Sequence, residues 1–117
     1  MARTAIGAVT FQAVADPDLT QAKFDNGGAS GDTTAVAAAA GKATRLYRLL
    51  LVVSGATNIT IKDGSTALTG AMPIAANGSI TLDFSGEPWF VGSNNTNFIV
   101  NSSNAVNVEG SVWYTQG

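Results

Sequence analysis

The sequence predicts an all-β fold, an antiparallel β-sandwich of jelly-roll or Greek-key type that follows an extended N-terminal arm. Three observations carry this expectation. Short apolar stretches alternate with polar residues at a period of two, as in Asn58 to Lys62 and Ile80 to Phe84. Turn residues punctuate them at short intervals, including Gly41-Lys42, Asp63-Gly64, Asn77-Gly78, Gly86-Glu87-Pro88 and Asn94-Asn95. Up to Asp32 no apolar period persists for two helical turns, and after Asp32 the chain reads as strands and turns.

Taken in order, Met1 to Asp32 shows no lasting apolar period and ends in Asp25-Asn26-Gly27-Gly28-Ala29-Ser30-Gly31-Asp32, which reads as a hinge. The expected division is therefore an arm over 1–32 and a sandwich over 33–117. Ile6, Val9, Phe11, Val14, Leu19 and Phe24 give the arm apolar anchors that a solubilising tail would not need. Thr33 to Ala40 is short and opens with β-branched residues, so a strand is preferred to an alanine-rich helix.

Thr44 to Ser54 is the strongest strand. Simple alternation places Tyr47, Leu49, Leu51 and Val53 on one face, with Leu46, Arg48, Leu50 and Val52 on the other. A strand apolar on both faces lies between packed layers or in an interface. Ile59 and Ile61 point inward in the next strand. Leu68 to Met72 is short, and Pro73 limits it to an edge. Ile80, Leu82 and Phe84 share a face, as do Phe98 and Val100. In the last strand Val106, Val108, Val112 and Tyr114 oppose Trp113. This makes about eight short strands, the number a jelly roll needs.

Composition removes several functions. The 117 residues contain neither Cys nor His, so thiol chemistry, disulfides and the commonest general base and metal ligand are excluded. Six Lys+Arg scattered among eight acids, for a net charge of -2, supply no basic patch for nucleic acid. The aliphatic run Leu49 to Val53 is too short to cross a membrane. Ala13-Val14-Ala15 resembles a signal-cleavage site, but Gly7, Thr10 and Gln12 spoil the apolar region before it. An unprocessed cytosolic product is expected. Four Asn-x-Ser/Thr sequons, at Asn58, Asn77, Asn94 and Asn101, read as chance in so Asn- and Thr-rich a chain.

Catalytic and metal-binding arrangements are also weak. Asp83 and Glu87 flank one break, yet nothing nearby would separate their pKa values as a glycosidase pair requires. Asp16-Pro17-Asp18 lacks the Gly and distal Glu of a calcium loop. Gly27 to Gly31 follows no expected strand and lacks the Lys-Ser/Thr of a phosphate loop. The expectation is a protein that is not an enzyme and carries no cofactor or metal. Phe90 and Tyr114 read as core. Trp89 and Trp113 read as contact residues, ahead of a sugar-stacking role. The candidate interface residues are Phe11, Val14, Leu19, Phe24, Tyr47, Leu49, Leu51, Trp89 and Trp113.

The order of motifs from Gly41 onward resembles a group of small virion structural proteins of tailed bacteriophages. The motifs are Gly41-Lys42 before Arg45-Leu46-Tyr47-Arg48-Leu49-Leu50-Leu51, then Asn58-Ile59-Thr60-Ile61-Lys62-Asp63-Gly64. Ala67-Leu68-Thr69-Gly70, Pro73 to Gly78, Phe84 to Phe90 and Gly110 to Tyr114 follow. The resemblance implies a β-sandwich subunit of the virion, with capsid decoration on the outer surface of the head as its job. The partners it implies are the major capsid protein or other virion proteins, together with self-association as a homo-oligomer, a trimer first. A tail-fibre or receptor/glycan-binding module and a neck or tail component are the alternatives.

Overall fold

The computed structural model describes residues 18–117. Ten strands occupy them: β1 (Thr20–Asp25), β2 (Gly31–Val36), β3 (Thr44–Val53), β4 (Thr57–Asp63), β5 (Thr66–Ala67), β6 (Met72–Ile74), β7 (Ser79–Leu82), β8 (Phe90–Val91), β9 (Phe98–Ser102) and β10 (Val108–Gln116). Every pairing is antiparallel. No helix occurs among the described residues.

Two sheets share the strands. The first runs β1-β10-β3, with β7 and β8 forming one interrupted edge along β3. The second runs β2-β9-β4, with β5 and β6 along β4. Successive long strands therefore cross from one sheet to the other, and the first strand lies beside the last. Counting each interrupted edge as one strand gives the eight-stranded connectivity of a jelly roll. The all-β sandwich expected from the sequence is the observed architecture.

The core forms where the inner faces meet. Phe24 of β1, Leu46, Leu49, Leu51 and Val53 of β3, and Val108 and Val112 of β10 come from one sheet. Val36 of β2, Ile59 and Ile61 of β4, and Phe98 and Val100 of β9 come from the other. Phe90 adds an aromatic contact across the layers, its ring centroid 6.2 Å from that of Phe98. The two buried hydroxyls of Thr57 and Ser102 satisfy each other at 2.8 Å, as burial demands of polar groups.

Local chemistry sets the turns. At the β4–β5 hairpin, Gly64 takes a φ of 60°, the left-handed region where a Cβ would be costly. Between β1 and β2 the Asn26 side chain acts as a clasp. Its amide donates to the carbonyls of Ala29 (2.9 Å) and Val106 (2.8 Å), and its oxygen accepts from the amides of Gly28 and Val108. That run was expected to be a hinge. It is instead a turn fastened to the start of β10, and it passes the chain from one sheet to the other.

Two expectations are corrected here. The sandwich begins at Thr20, ahead of the expected boundary at residue 32, because β1 pairs along its whole length with β10 and Phe24 is only 6% exposed. Tyr47 also leaves the face of Leu49, Leu51 and Val53. Trp113 pairs with Arg48 and Tyr114 with Leu46, so Tyr47 is the extra residue of a β-bulge. The bulge turns Leu46 inward with Leu49, Leu51 and Val53.

Candidate functional site

The outer faces of the two sheets differ in chemistry. On the second sheet, Asp32 accepts a 2.7 Å hydrogen bond from the Asn101 side chain and pairs with Lys62 Nζ at 3.0 Å. Ile99, between Thr34 and Lys62 in the ladder, is buried, and its neighbours along the face are polar. The Asn101 hydrogen bond and then the Lys62 ammonium hold the Asp32 carboxyl below its ordinary value of 3.8.

A carboxylate with a lowered folded-state pKa stabilises the fold above its unfolded value and loses that contribution as the pH falls through the folded one. The pair is exposed, so its worth is small. Asp32→Asn is therefore expected to lower the urea midpoint slightly at pH 6. The gap to wild type should close as the pH drops below about 4, and parallel urea titrations at pH 6 and pH 2 check this.

The outer face of the first sheet is where apolar surface remains. Leu50 (44% exposed), Val52 (48%), Trp89 (46%) and Val91 (53%) are the large exposed hydrophobic side chains among the described residues. Leu50 and Val52 belong to β3 and Val91 to β8, and Trp89 immediately precedes β8. The ladder sets their neighbours in rows. Gln21, Trp113 and Arg48 form one row, Lys23, Ser111, Leu50 and Thr81 the next, and Asp25, Glu109, Val52 and Ser79 the third.

At the first row the Arg48 guanidinium lies 4.7 Å from the centre of the Trp113 ring, a cation–π contact. At the second and third rows the surface dips. Lys23 and Asp25 rise from β1, Leu50 and Val52 rise from β3, and Glu109, Gly110 and Ser111 of β10 lie between them. The result is an open trough of about 400 Å³. A second hollow of about 310 Å³ adjoins it, shares Val52 and Glu109, and extends to Ser54, Asn77 and Asn107.

The broken edge shapes the far side of this face. The Trp89 backbone amide donates to the Leu46 carbonyl at 2.7 Å, and its indole Nε1 donates to the Asp83 carbonyl at 2.7 Å. The ring is thereby fixed while nearly half of it stays in solvent. Tyr47, displaced by the bulge, lies with its ring centroid 5.9 Å from that of Phe84.

The sequence-derived candidates separate accordingly. Trp89 and Trp113 lie on or beside this outer face, and Tyr47 packs on Phe84. Leu49 (1% exposed), Leu51 (0%) and Phe24 are core residues and present nothing to a partner. The expected face of β3 was the wrong one, because both faces are apolar and only the strand's neighbours decide which turns inward. Leu19 is half-buried just ahead of β1. Phe11 and Val14 fall outside the described residues. Leu50, Val52 and Val91 were missed as surface residues, although Leu50 and Val52 belong to the opposite face that the alternation already marked as apolar.

Asp83 and Glu87 are both exposed. Among the described residues no group of three or more acidic, His or Cys side chains is placed to hold a metal, and no helix is long and apolar enough to cross a membrane. Comparisons with family models, with curated proteins and with solved structures find no match to this chain.

Proposed function

We propose that this chain is a virion structural protein of a tailed bacteriophage, a capsid-decoration subunit that docks through the outer face of its first sheet together with its N-terminal residues. The observation that supports a contact surface is that the large exposed hydrophobic side chains among the described residues, Leu50, Val52, Trp89 and Val91, all lie on β3 or next to its interrupted edge. Exposed apolar side chains concentrated on one sheet edge are candidates for a place of association. The virion assignment rests on the motif order from Gly41 to Tyr114.

The mechanism is mechanical. A subunit that binds only the assembled shell stabilises it by mass action. Each large apolar side chain buried in that contact contributes about 1.5–3 kcal/mol, and repetition over many copies multiplies the effect. The partner is the major capsid protein or another virion protein, with homo-oligomerisation, as a trimer, supplementing the contact.

Immunogold or cryo-microscopy of intact particles tests the reading. Wild-type protein is expected on the outer surface of the head, and a Leu50→Asp/Trp89→Asp variant is expected to remain folded and absent from it. Particles carrying the protein only at a tail fibre, or lacking it altogether, would refute the decoration role.

A further inference from the structure

We infer that the open edge of β1 is a self-association site for a second copy of this chain. Residues Lys23 to Asp25 of the two copies pair antiparallel across a two-fold axis at Phe24. The inference concerns the free protein and does not rest on the virion reading. Such an axis joins copies in pairs, so the contact is distinct from the proposed three-fold association.

Two open sheets present four edges, and among the described residues all but one are blunted. In the second sheet, the β2 edge is interrupted by a register shift between Thr34 and Val36. The opposite edge is made of the two residues of β5 and the three of β6, with Pro73 in the middle. In the first sheet, the edge along β3 is split into β7, of four residues, and β8, of two. Short strands, bulges and proline are the usual means of keeping an edge from pairing. β1 has none of them. Its six residues match β10 one for one, without a shift.

The direction of its backbone groups follows from the ladder. The Asn26 amide donates to the Val108 carbonyl, so by alternation Phe24, Ala22 and Thr20 turn their amides and carbonyls toward β10. Those of Gln21, Lys23 and Asp25 point the other way, and no strand among the described residues meets them.

Charge selects the occupant and the register. Residues directly opposite in an antiparallel pair share a face, where opposite charges stabilise and like charges destabilise. A two-fold axis at Lys23 would oppose two lysines, and one at Asp25 would oppose two aspartates. An axis at Gln21 or Ala22 pairs no charges. An axis at Phe24 sets Lys23 against the partner's Asp25, and Asp25 against the partner's Lys23. Within one copy Asp25 already lies opposite Glu109 on the outer face, so the arriving ammonium answers two carboxylates. Gln21 then faces the partner's Gly27, a residue in open space with no side chain to obstruct the approach.

A contact of this length is of the weak, reversible class, so the test uses high concentration. In sedimentation equilibrium of the purified protein up to about 1 mM, pairs of copies are expected, or pairs of trimers where the three-fold contact also forms. Single copies or lone trimers throughout would overturn the inference.

Charge reversal identifies the register. Lys23→Glu opposes carboxylates at both positions and Asp25→Lys opposes ammonium groups, so each variant alone is expected to raise the dissociation constant by about tenfold or more. An equimolar mixture of the two restores complementary charges and is expected to form the heterodimer. Variants that pair like wild type, or a mixture that does not pair, would place the contact elsewhere and overturn it.

Asp25 also accepts a 2.7 Å hydrogen bond from the Gly27 amide, which Asp25→Lys removes, and amide exchange of the wild type covers the case of a misfolded variant. The Lys23 and Asp25 amides are expected to exchange at least about twofold more slowly at high concentration than at low. The Phe24 amide, already turned to β10, is expected not to change. No slowing at Lys23 and Asp25 would sink the pairing. None of these measurements involves a phage particle, so failure here leaves the decoration role standing, and the reverse.

Discussion

Gly110→Ala is expected to lower the thermal unfolding midpoint by more than about 12 °C. Gly110 sits two residues into β10, opposite Phe24 of β1 on one side and Leu51 of β3 on the other. A Cβ at this position would overlap the Leu50 carbonyl oxygen, and it would meet the carbonyl carbon at 2.9 Å and the Leu51 Cα at 3.0 Å. All three are backbone atoms of the neighbouring strand, so no rotamer change relieves the clash. The β3–β10 ladder must open locally.

Overpacking of this kind costs about 3 kcal/mol at the upper end of its usual range, and each kcal/mol is worth about 4–8 °C in a domain of this size. A circular-dichroism melt decides the matter. A variant that melts within about 3 °C of the parent would show that β10 can shift to accept the methyl group.

The second large effect is a contrast between adjacent leucines. Leu51→Ala is expected to cost about 2–5 kcal/mol, the range for emptying a fully buried leucine site, because Leu51 is 0% exposed in the core cluster. Leu50→Ala is expected to cost less than about 1 kcal/mol, since nearly half of that side chain faces solvent. Urea unfolding of both variants, with m unchanged from wild type, measures the two values directly. Equal losses would mean that the outer face of β3 is covered as completely as the inner one.

That contrast also marks where the sequence stops being legible. The period of two in Asn58 to Lys62 places Ile59 and Ile61 in the core, and the structure agrees, because one face of β4 is plainly polar. In Thr44 to Val53 both faces are apolar, and alternation alone assigns no direction. The bulge at Tyr47 adds a second obstacle. It is defined by two residues of β3 facing one of β10, a relation between strands that a single stretch of sequence does not display.

The N-terminal boundary was hidden for a different reason. Ala22 and Phe24 are the only apolar residues on the inner face of β1, too few to register as a strand pattern, and the glycines after them suggested a hinge. The clasp built by Asn26 depends on Val106 and Val108, about 80 residues away in the chain. Trp89 and Trp113 were placed outside the core by their positions, after Pro88 and opposite the valine face of β10, and the structure agrees on that placement.

The pairing of the first strand with the last has a consequence for synthesis. During translation β10 emerges after the other nine described strands, and it lies between β1 and β3 in the finished sheet. Until it arrives, those two strands have no common neighbour, and Leu49, Leu51 and Val53 lack their cover from Val108 and Val112. Domains dominated by such distant pairings fold in milliseconds to seconds, because the loop must close before the contacts reward it. The nascent domain thus gains its native core only once β10 has been made, and any product ending before Val108 carries an open apolar strand, the species most prone to aggregate.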